Sequence, residues 1–271
     1  MKLSVIIPTY NEEEHLEEFL NSFLNQTNKR FEIIVVDDHS TDNTLKILNG
    51  FRKNFNLKIV FSNKKNVSYA RNLGARRATG DVIAHLDCDC HVNKNFVNGI
   101  IESFTKNDVE ALRIREDLVM DHIIEKIDYL RTFYKWKGYI QGMRVFKKGY
   151  FFDDDLECFG DDFPLKNRIK NEDVILCSSS IIYSHRFHSW HDVVKSWKRY
   201  PSGFVYYRKY ENVLKGFVPL FFFLTSPAIM INRLFKFRDP MAFLIPLYDF
   251  VRSFSYFYGM ITHPKWIIGK Q

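Results

Sequence analysis

The chain has 271 residues, 46% of them hydrophobic and 16% aromatic, which suits a globular protein with a real core. Its net charge of +7 is uneven. Residues 1–185 hold 26 Lys and Arg against 28 Asp and Glu, net −2, while residues 186–271 hold 13 against 4, net +9. The four cysteines (Cys88, Cys90, Cys158, Cys177) show neither a C-x-x-C pair nor a disulfide framework, and Cys88-x-Cys90 is too tight for the usual zinc fingers. Reduced thiols in a cytosol-facing protein are expected, and the apolar run at Met1–Pro8 is too short for a signal peptide.

Leu3–Ile7 reads as a buried strand stopped by Pro8. Asn11 is placed to cap a helix whose first turn is acidic and whose apolar face is Leu16, Phe19, Leu20, Phe23 and Leu24. Phe31–Val36 is a second strand, ending in Asp37-Asp38. Ser40 or Thr41 would cap the next helix, with Leu45, Ile47, Leu48 and Phe51 buried. A third strand, Leu57–Phe61, leads into a helix around Tyr69–Ala78, which Gly80 closes. Val82–Leu86 is a fourth strand, ending in Asp87-Cys88-Asp89. An extended chain would put both carboxylates on one side. Two charges at 4 Å repel by roughly 4 kcal/mol at an effective dielectric near 20, so a positive partner is expected there, a hard divalent cation being the simplest. The other reading is a solvated acidic loop.

Four strand–helix alternations argue for a doubly wound, mostly parallel sheet with helices on both faces. Pro8-Thr9-Tyr10, Asp37-Asp38 and Asp87-Cys88-Asp89 then share the carboxyl edge, where a nucleotide belongs. No G-x-G-x-x-G follows the first strand and no Walker loop appears, which disfavours a dinucleotide dehydrogenase or P-loop NTPase.

Taken in order, Ser4–Glu12, Ile34–Asp42, Ala70-Arg71-Asn72-Leu73-Gly74-Ala75, Thr79–Asp89 and Phe159–Arg168 resemble the successive blocks of family 2 glycosyltransferases with the GT-A fold. The blocks span about residues 3–200. Two positions depart from the family pattern: Lys65-Asn66-Val67-Ser68 lacks the usual glycine, and Asp161-Asp162 stands for Glu-Asp. The resemblance implies a GT-A fold, Rossmann-like with a mostly parallel sheet flanked by helices. It also implies a nucleotide-sugar donor (a UDP- or GDP-sugar) and inversion at the anomeric carbon. Pro8, Tyr10, Glu12 and Asp38 would line the nucleotide pocket. Arg71 would hold the diphosphate or sugar, and Asp87 the ribose or a metal-bound water. Asp89, with His185, would hold Mn²⁺ or Mg²⁺. Asp162 would be the general base; the competing reading of Asp161-Asp162 is a helix N-terminus. Lys198-Arg199-Tyr200 is either a basic contact for an anion or a solvated face.

The last third is basic and aromatic. Phe217–Ile231 carries no charge but falls short of the ~20 residues a spanning helix needs, and Met241–Met260 is interrupted only by Asp249 and Arg252. An amphipathic or re-entrant pair in an anionic leaflet is expected, the alternatives being a short spanning hairpin and a dimer interface. Nucleic acid is not expected as a partner, because its recognition motifs are absent and apolar runs accompany the charge. The expected organisation is a catalytic domain over 1–200, with a nucleotide-sugar half at about 1–92 and an acceptor half at about 93–200, followed by a helical membrane-associating segment over 201–271. The expected activity is metal-dependent transfer to a glycan hydroxyl, lipid-linked or otherwise, at the cytosolic membrane face. The alternatives are transfer to a polyprenyl phosphate and a non-catalytic nucleotide-sugar-binding protein.

Overall fold

The computed structural model describes residues 1–133, 139–154, 165, 168–185, 189–199, 201 and 213–263. They fall into two compact units. The first comprises Met1–Asp117, Ile140–Asp154 and the described residues up to Ser184. The second comprises Leu118–Tyr139 and the described residues from His185 onward.

The first unit is built on one mixed sheet. Its strands are β1 (Leu3–Thr9), β2 (Phe31–Asp37), β3 (Leu57–Phe61), β4 (Val82–His85), β5 (Cys90–Val92), β6 (Ala111–Leu118), β7 (Tyr139–Lys147) and β8 (Val174–Ser184), in the order β3-β2-β1-β4-β7-β6-β8-β5. The expected parallel core is there: β1 pairs in parallel with β2 and β4, and β2 with β3. Beyond it β7 runs antiparallel to β4, and β5 antiparallel to β8.

Alternation along the strands decides which helix lies on which face. Leu3, Val5 and Ile7 of β1, with Ile33 and Val35 of β2, pack against α1 (Leu16–Leu24), α2 (Thr44–Phe51) and α4 (Phe96–Lys106). Ile6, Ile34, Val36 and Ile83 point the other way, onto Ala70, Ala75 and Ala78 in and just after α3 (Val67–Arg77). On this face Glu32 is fully buried, and Ser4, Thr79 and Lys58 bond to it. Burial raises its carboxyl, but the Lys58 ammonium and the Thr79 and Ser4 donors outweigh that and bring it to about 2.

Four local expectations are corrected. Pro8 does not stop β1, which runs on to Thr9. Ile6 bonds toward β4 through its carbonyl, so Pro8, of the same parity, turns its missing N–H toward a side β4 has already left. Asn11 does not cap α1; it sits at φ 54°, and its side chain accepts from Thr41 N–H at 2.8 Å. The residue before α2 is Asn43, rather than Ser40 or Thr41. Gly80 is no left-handed helix cap: a Cβ there would lie 2.6 Å from Ser4 Oγ and 2.7 Å from the Lys2 carbonyl, so glycine is required by close packing on β1.

The second unit is helical. Its core gathers Ile124 and Ile127 of α5 (Ile123–Asp128), Leu130, Val193 and Trp197 of α6 (Trp190–Arg199), and Ile245, Tyr248, Tyr256 and Met260 of α8 (Ile245–Thr262), with α7 (Phe222–Phe237) packed alongside. At Gly259 a Cβ would lie 2.0 Å from the Lys198 carbonyl, so α6 and α8 meet backbone to backbone there.

Candidate donor site at the carboxyl edge of the sheet

The first two strand ends are sewn together by their loops. Asp38 N–H donates to the Thr9 carbonyl at 2.9 Å, Asn11 N–H to Ser40 Oγ at 2.9 Å, and Glu12 N–H to Thr44 Oγ1 at 2.9 Å. Buried Asp37 accepts from the N–H and hydroxyl of Ser40, so it supports the second loop from below and leaves Asp38 at the edge. Tyr10 is exposed, with Lys65 Nζ 5.0 Å from its ring centroid. Pro8, Tyr10, Glu12 and Asp38 thus stand on one reinforced pair of loops.

The Ala70–Gly74 block has a separate task for each residue. Arg71 Nη2 donates to Asp87 Oδ1 at 2.7 Å, and its guanidinium lies over Phe152. Asn72 spans outward, accepting from Phe152 N–H at 2.8 Å and donating to the Phe152 carbonyl at 3.0 Å and to Asp154 Oδ1 at 2.6 Å. Gly74 lets α3 lie on the sheet, since a Cβ there would meet Ile6 Cγ2 at 2.4 Å. Asn66 accepts from Tyr69 N–H at 2.8 Å to cap α3, and also donates to the Asp154 carbonyl. The segment that departs from the family's glycine pattern is therefore a helix cap tied to residues 152–154.

After β4 the chain does not stay extended. It turns at Cys88-Asp89 into β5, so Asp87 and Asp89 are not strand neighbours on one face. The positive partner of Asp87 is a pair of guanidiniums: Arg71 at 2.7 Å and Arg144 Nη1 of β7 at 3.4 Å. Partial burial raises the Asp87 carboxyl, yet Arg71 and then Arg144 overcome it and hold the group at about 2, although 39% of its side-chain surface is open. Arg144 continues to Glu116 of β6 at 3.4 Å, and Glu116 accepts from Ser184 Oγ at 2.8 Å. This Asp87–Arg144–Glu116–Ser184 chain crosses four strands. It was missed because these residues are scattered from 87 to 184; the one available signal is that β6 and β7, otherwise apolar on their buried side, each carry a charge there.

Asp89 is exposed at the turn. Burial, then the negative charge of Glu12, then Asp89 and Asp87, pushes the buried Cys88 thiol well above its ordinary range, and burial with Asp89 and Asp87 does the same to Cys90. Both thiols therefore stay protonated, as expected of inert cysteines. Glu12, Asp89 and Asp87 are the carboxylates whose charge bears on Cys88, that of Asp87 being balanced by its two arginines. A hard divalent cation fits such oxygen donors. Beneath the turn His85 is buried against Phe152, ring centroids 4.8 Å apart. Burial, with Arg71 adding to it, lowers its pKa to about 3, so it is a neutral core histidine.

His185 belongs to the second unit, with Nδ1 3.6 Å from the buried Glu125 carboxylate of α5. The expected general base, Asp162, and its neighbour Asp161 lie outside the described residues. So does Tyr200 of the basic triplet, while Lys198 Nζ stands over the Tyr258 ring at 4.6 Å.

A mixed sheet that gathers acidic strand ends, an Arg-bearing helix and a reinforced first loop at its carboxyl edge has the architecture of an α/β protein that takes its ligand at that edge. Residues 4–151 match the model of Glycosyl transferase family 2, more than half of the chain, and the chain belongs to that family. The poly(ribitol-phosphate) beta-N-acetylglucosaminyltransferase TarS of Staphylococcus aureus is 35% identical over 119 residues, which cover 42% of this chain and 21% of TarS. The chain thus matches about a fifth of that relative's length. Among solved structures, S. aureus TarS 1–349 in complex with UDP-GlcNAc aligns with a TM-score of 0.58 at 18% identity, covering 100% of this chain and 93% of that one. The mannosyltransferase PcManGT of Pyrobaculum calidifontis in complex with GDP-Man and Mn²⁺ aligns with a TM-score of 0.61 at 18% identity, covering 100% and 88%. The fold is that of the GT-A glycosyltransferases.

Proposed function

We propose that this chain transfers a sugar from a UDP- or GDP-sugar to a glycan hydroxyl, lipid-linked or otherwise, with inversion and with a divalent metal, at the cytosolic face of a membrane. The observation that carries the reading is the convergence of Asp38, Arg71, Asp87 and Asp89 on one sheet edge in a family 2 chain. UDP-GlcNAc in TarS and GDP-Man with Mn²⁺ in PcManGT support the donor class and the use of a metal.

In this reading Pro8, Tyr10, Glu12 and Asp38 receive the nucleoside, and Asp89 holds Mn²⁺ or Mg²⁺. When bound, the metal neutralises charge on the departing diphosphate. Arg71 has a double task, since the guanidinium that clamps Asp87 is also a cation available to a diphosphate. Asp87 keeps Arg71 and Arg144 aimed, and its depressed pKa keeps it ionised as it does so. Asp162 takes the acceptor proton, and His185 is a further candidate metal ligand; both roles rest on the sequence resemblance. The catalytic domain is proposed to be residues 1–200 and the membrane-associating region 201–271, carried on a helical unit that also includes Leu118–Tyr139.

The test is calorimetric titration of UDP-, GDP- and dTDP-sugars with and without Mn²⁺, on the wild type and on Asp89→Ala. Metal-dependent binding of one nucleotide, lost in the variant, is the expected result and names the base. Absence of binding by all three overturns the reading. Asp162→Asn then separates acceptors: a sugar hydroxyl needs the base, whereas a polyprenyl phosphate does not.

A further inference from the structure

Helices α7 and α8 bury charged and polar side chains while turning a row of apolar ones outward. The buried residues of α7 are Ser226 and Arg233, while Leu224 (63% exposed), Ile231 and Phe235 (84% exposed) lie outside. At 3.6 residues per turn Ser226 and Arg233 share one stripe, and Leu224, Ile231 and Phe235 share a stripe on roughly the opposite side. On α8 Leu247, Phe250, Phe254, Phe257 and Ile261 are exposed and recur every three or four residues, with Tyr258 and Thr262 exposed beside them. Its core side holds Asp249, Arg252 and Ser253 among the buried Ile245, Tyr248, Tyr256 and Met260.

The polar interior is an ion cluster. Asp249, wholly buried, accepts from Arg131 Nε at 2.6 Å, Ser226 Oγ at 2.5 Å and Arg252 Nη1 at 3.2 Å. Arg252 packs over Trp197 at 4.0 Å and Phe222 at 4.8 Å. Arg233 Nε donates to the Leu130 carbonyl at 2.8 Å. Asp249 and Arg252, which interrupt the apolar run in the sequence, are thus inside the unit.

Exposed aromatic stripes of this extent mark a surface built for another medium. Lys195, Lys236 and Arg238 are exposed on the same unit, and residues 186–271 carry net +9. A second copy would bring like charges together, whereas an anionic leaflet complements them. The run Phe217–Phe237 is long and apolar enough to cross a bilayer by length and composition. Crossing would, however, strip Ser226 from Asp249 and carry Arg233 into hydrocarbon.

We propose that the second unit docks flat on an anionic leaflet, with α7 and α8 lying in the membrane plane and their exposed stripes at the acyl boundary. This rests on the membrane reading above and specifies its geometry.

The experiment uses the full chain carrying Cys158→Ser, since Cys88, Cys90 and Cys177 are buried. Nitroxides are placed singly on Leu224→Cys, Ile231→Cys, Phe235→Cys, Phe250→Cys and Phe257→Cys, and their depths are read in mixed phosphatidylglycerol–phosphatidylcholine vesicles. All five labels at one shallow depth is the expected result. Leu224 and Phe235 are about 16 Å apart along a helix axis, so a depth difference of that order between them means a spanning helix and overturns the proposal. Equal binding to pure phosphatidylcholine at high salt overturns the anionic leaflet. Self-association in sedimentation velocity, with the labels immobilised before any lipid is added, overturns lipid in favour of a second copy. Failure to bind any vesicle overturns the membrane reading itself, and the donor titration is unaffected by that result.

Discussion

Helix α1 turns Leu16, Phe19, Leu20 and Phe23 into the core and leaves Glu17 and Glu18 to solvent; α7 buries Ser226 and Arg233 and leaves Leu224, Ile231 and Phe235 outside. The first unit is stabilised mainly by apolar burial on both faces of its sheet, and α1 and α4 have ordinary polarity. In the second, a buried ion cluster centred on Asp249 fastens helices whose apolar surplus faces outward. The docking proposed above would give the two units different neighbours: water for the first and lipid for much of the second.

The comparison is tested most severely at the two carboxylates that stand for the two strategies. Asp89→Ala is expected to lower sugar transfer by about 10³-fold, roughly 4 kcal/mol in activation free energy, while thermal unfolding stays unchanged because the group is exposed. Asp249→Ala does the reverse. It strands Arg131 and Arg252 in the core and should cost about 3–5 kcal/mol of stability, read by denaturant unfolding.

Overpacking probes the first unit's reliance on tight apolar contact. Gly80→Ala drives a methyl into Ser4 and the Lys2 carbonyl and should cost about 1–3 kcal/mol. Acid titration probes the buried carboxylate of Glu32. Because the Glu32 pKa falls from 4.5 to about 2 on folding, its contribution is complete above about pH 5 and is lost as pH drops toward 2. Unfolding curves measured across that window should be steeper in pH for the wild type than for Glu32→Gln. The smallest effect on stability is expected at the exposed apolar stripe of α8. Phe250→Glu should change unfolding by no more than about 0.5 kcal/mol, because the side chain is 57% exposed, yet abolish co-sedimentation with anionic vesicles.

Much of the first unit was legible in the order of residues. The strands at Phe31 and Leu57 and the buried stripe Leu16, Phe19, Leu20 and Phe23 follow from periodicities of two and 3.6 that local sterics impose. The acidic strand ends followed from the same pattern, since a parallel strand must stop before a polar loop begins. Turn and cap chemistry was less legible. Asn11 has the side chain of a helix cap but is engaged by Thr41, thirty residues away, and Asp87 found Arg144 on a strand 57 residues downstream. Leu118–Tyr139 looked like part of the acceptor side of the sheet domain, yet it packs with the C-terminal helices.

The sequence alone determined the parallel α/β core, the carboxylates at its edge and the basic, aromatic character of the last third, because these depend on neighbours within a few positions. Tertiary structure alone decided that Asp87 is neutralised by two arginines, and that Asp249 and Arg252 lie inside while a row of phenylalanines lies outside. A helix that is apolar nearly all round has no local signal for which face is buried. That is decided by partners such as Arg131, 118 residues from Asp249, which the folded chain brings within 2.6 Å.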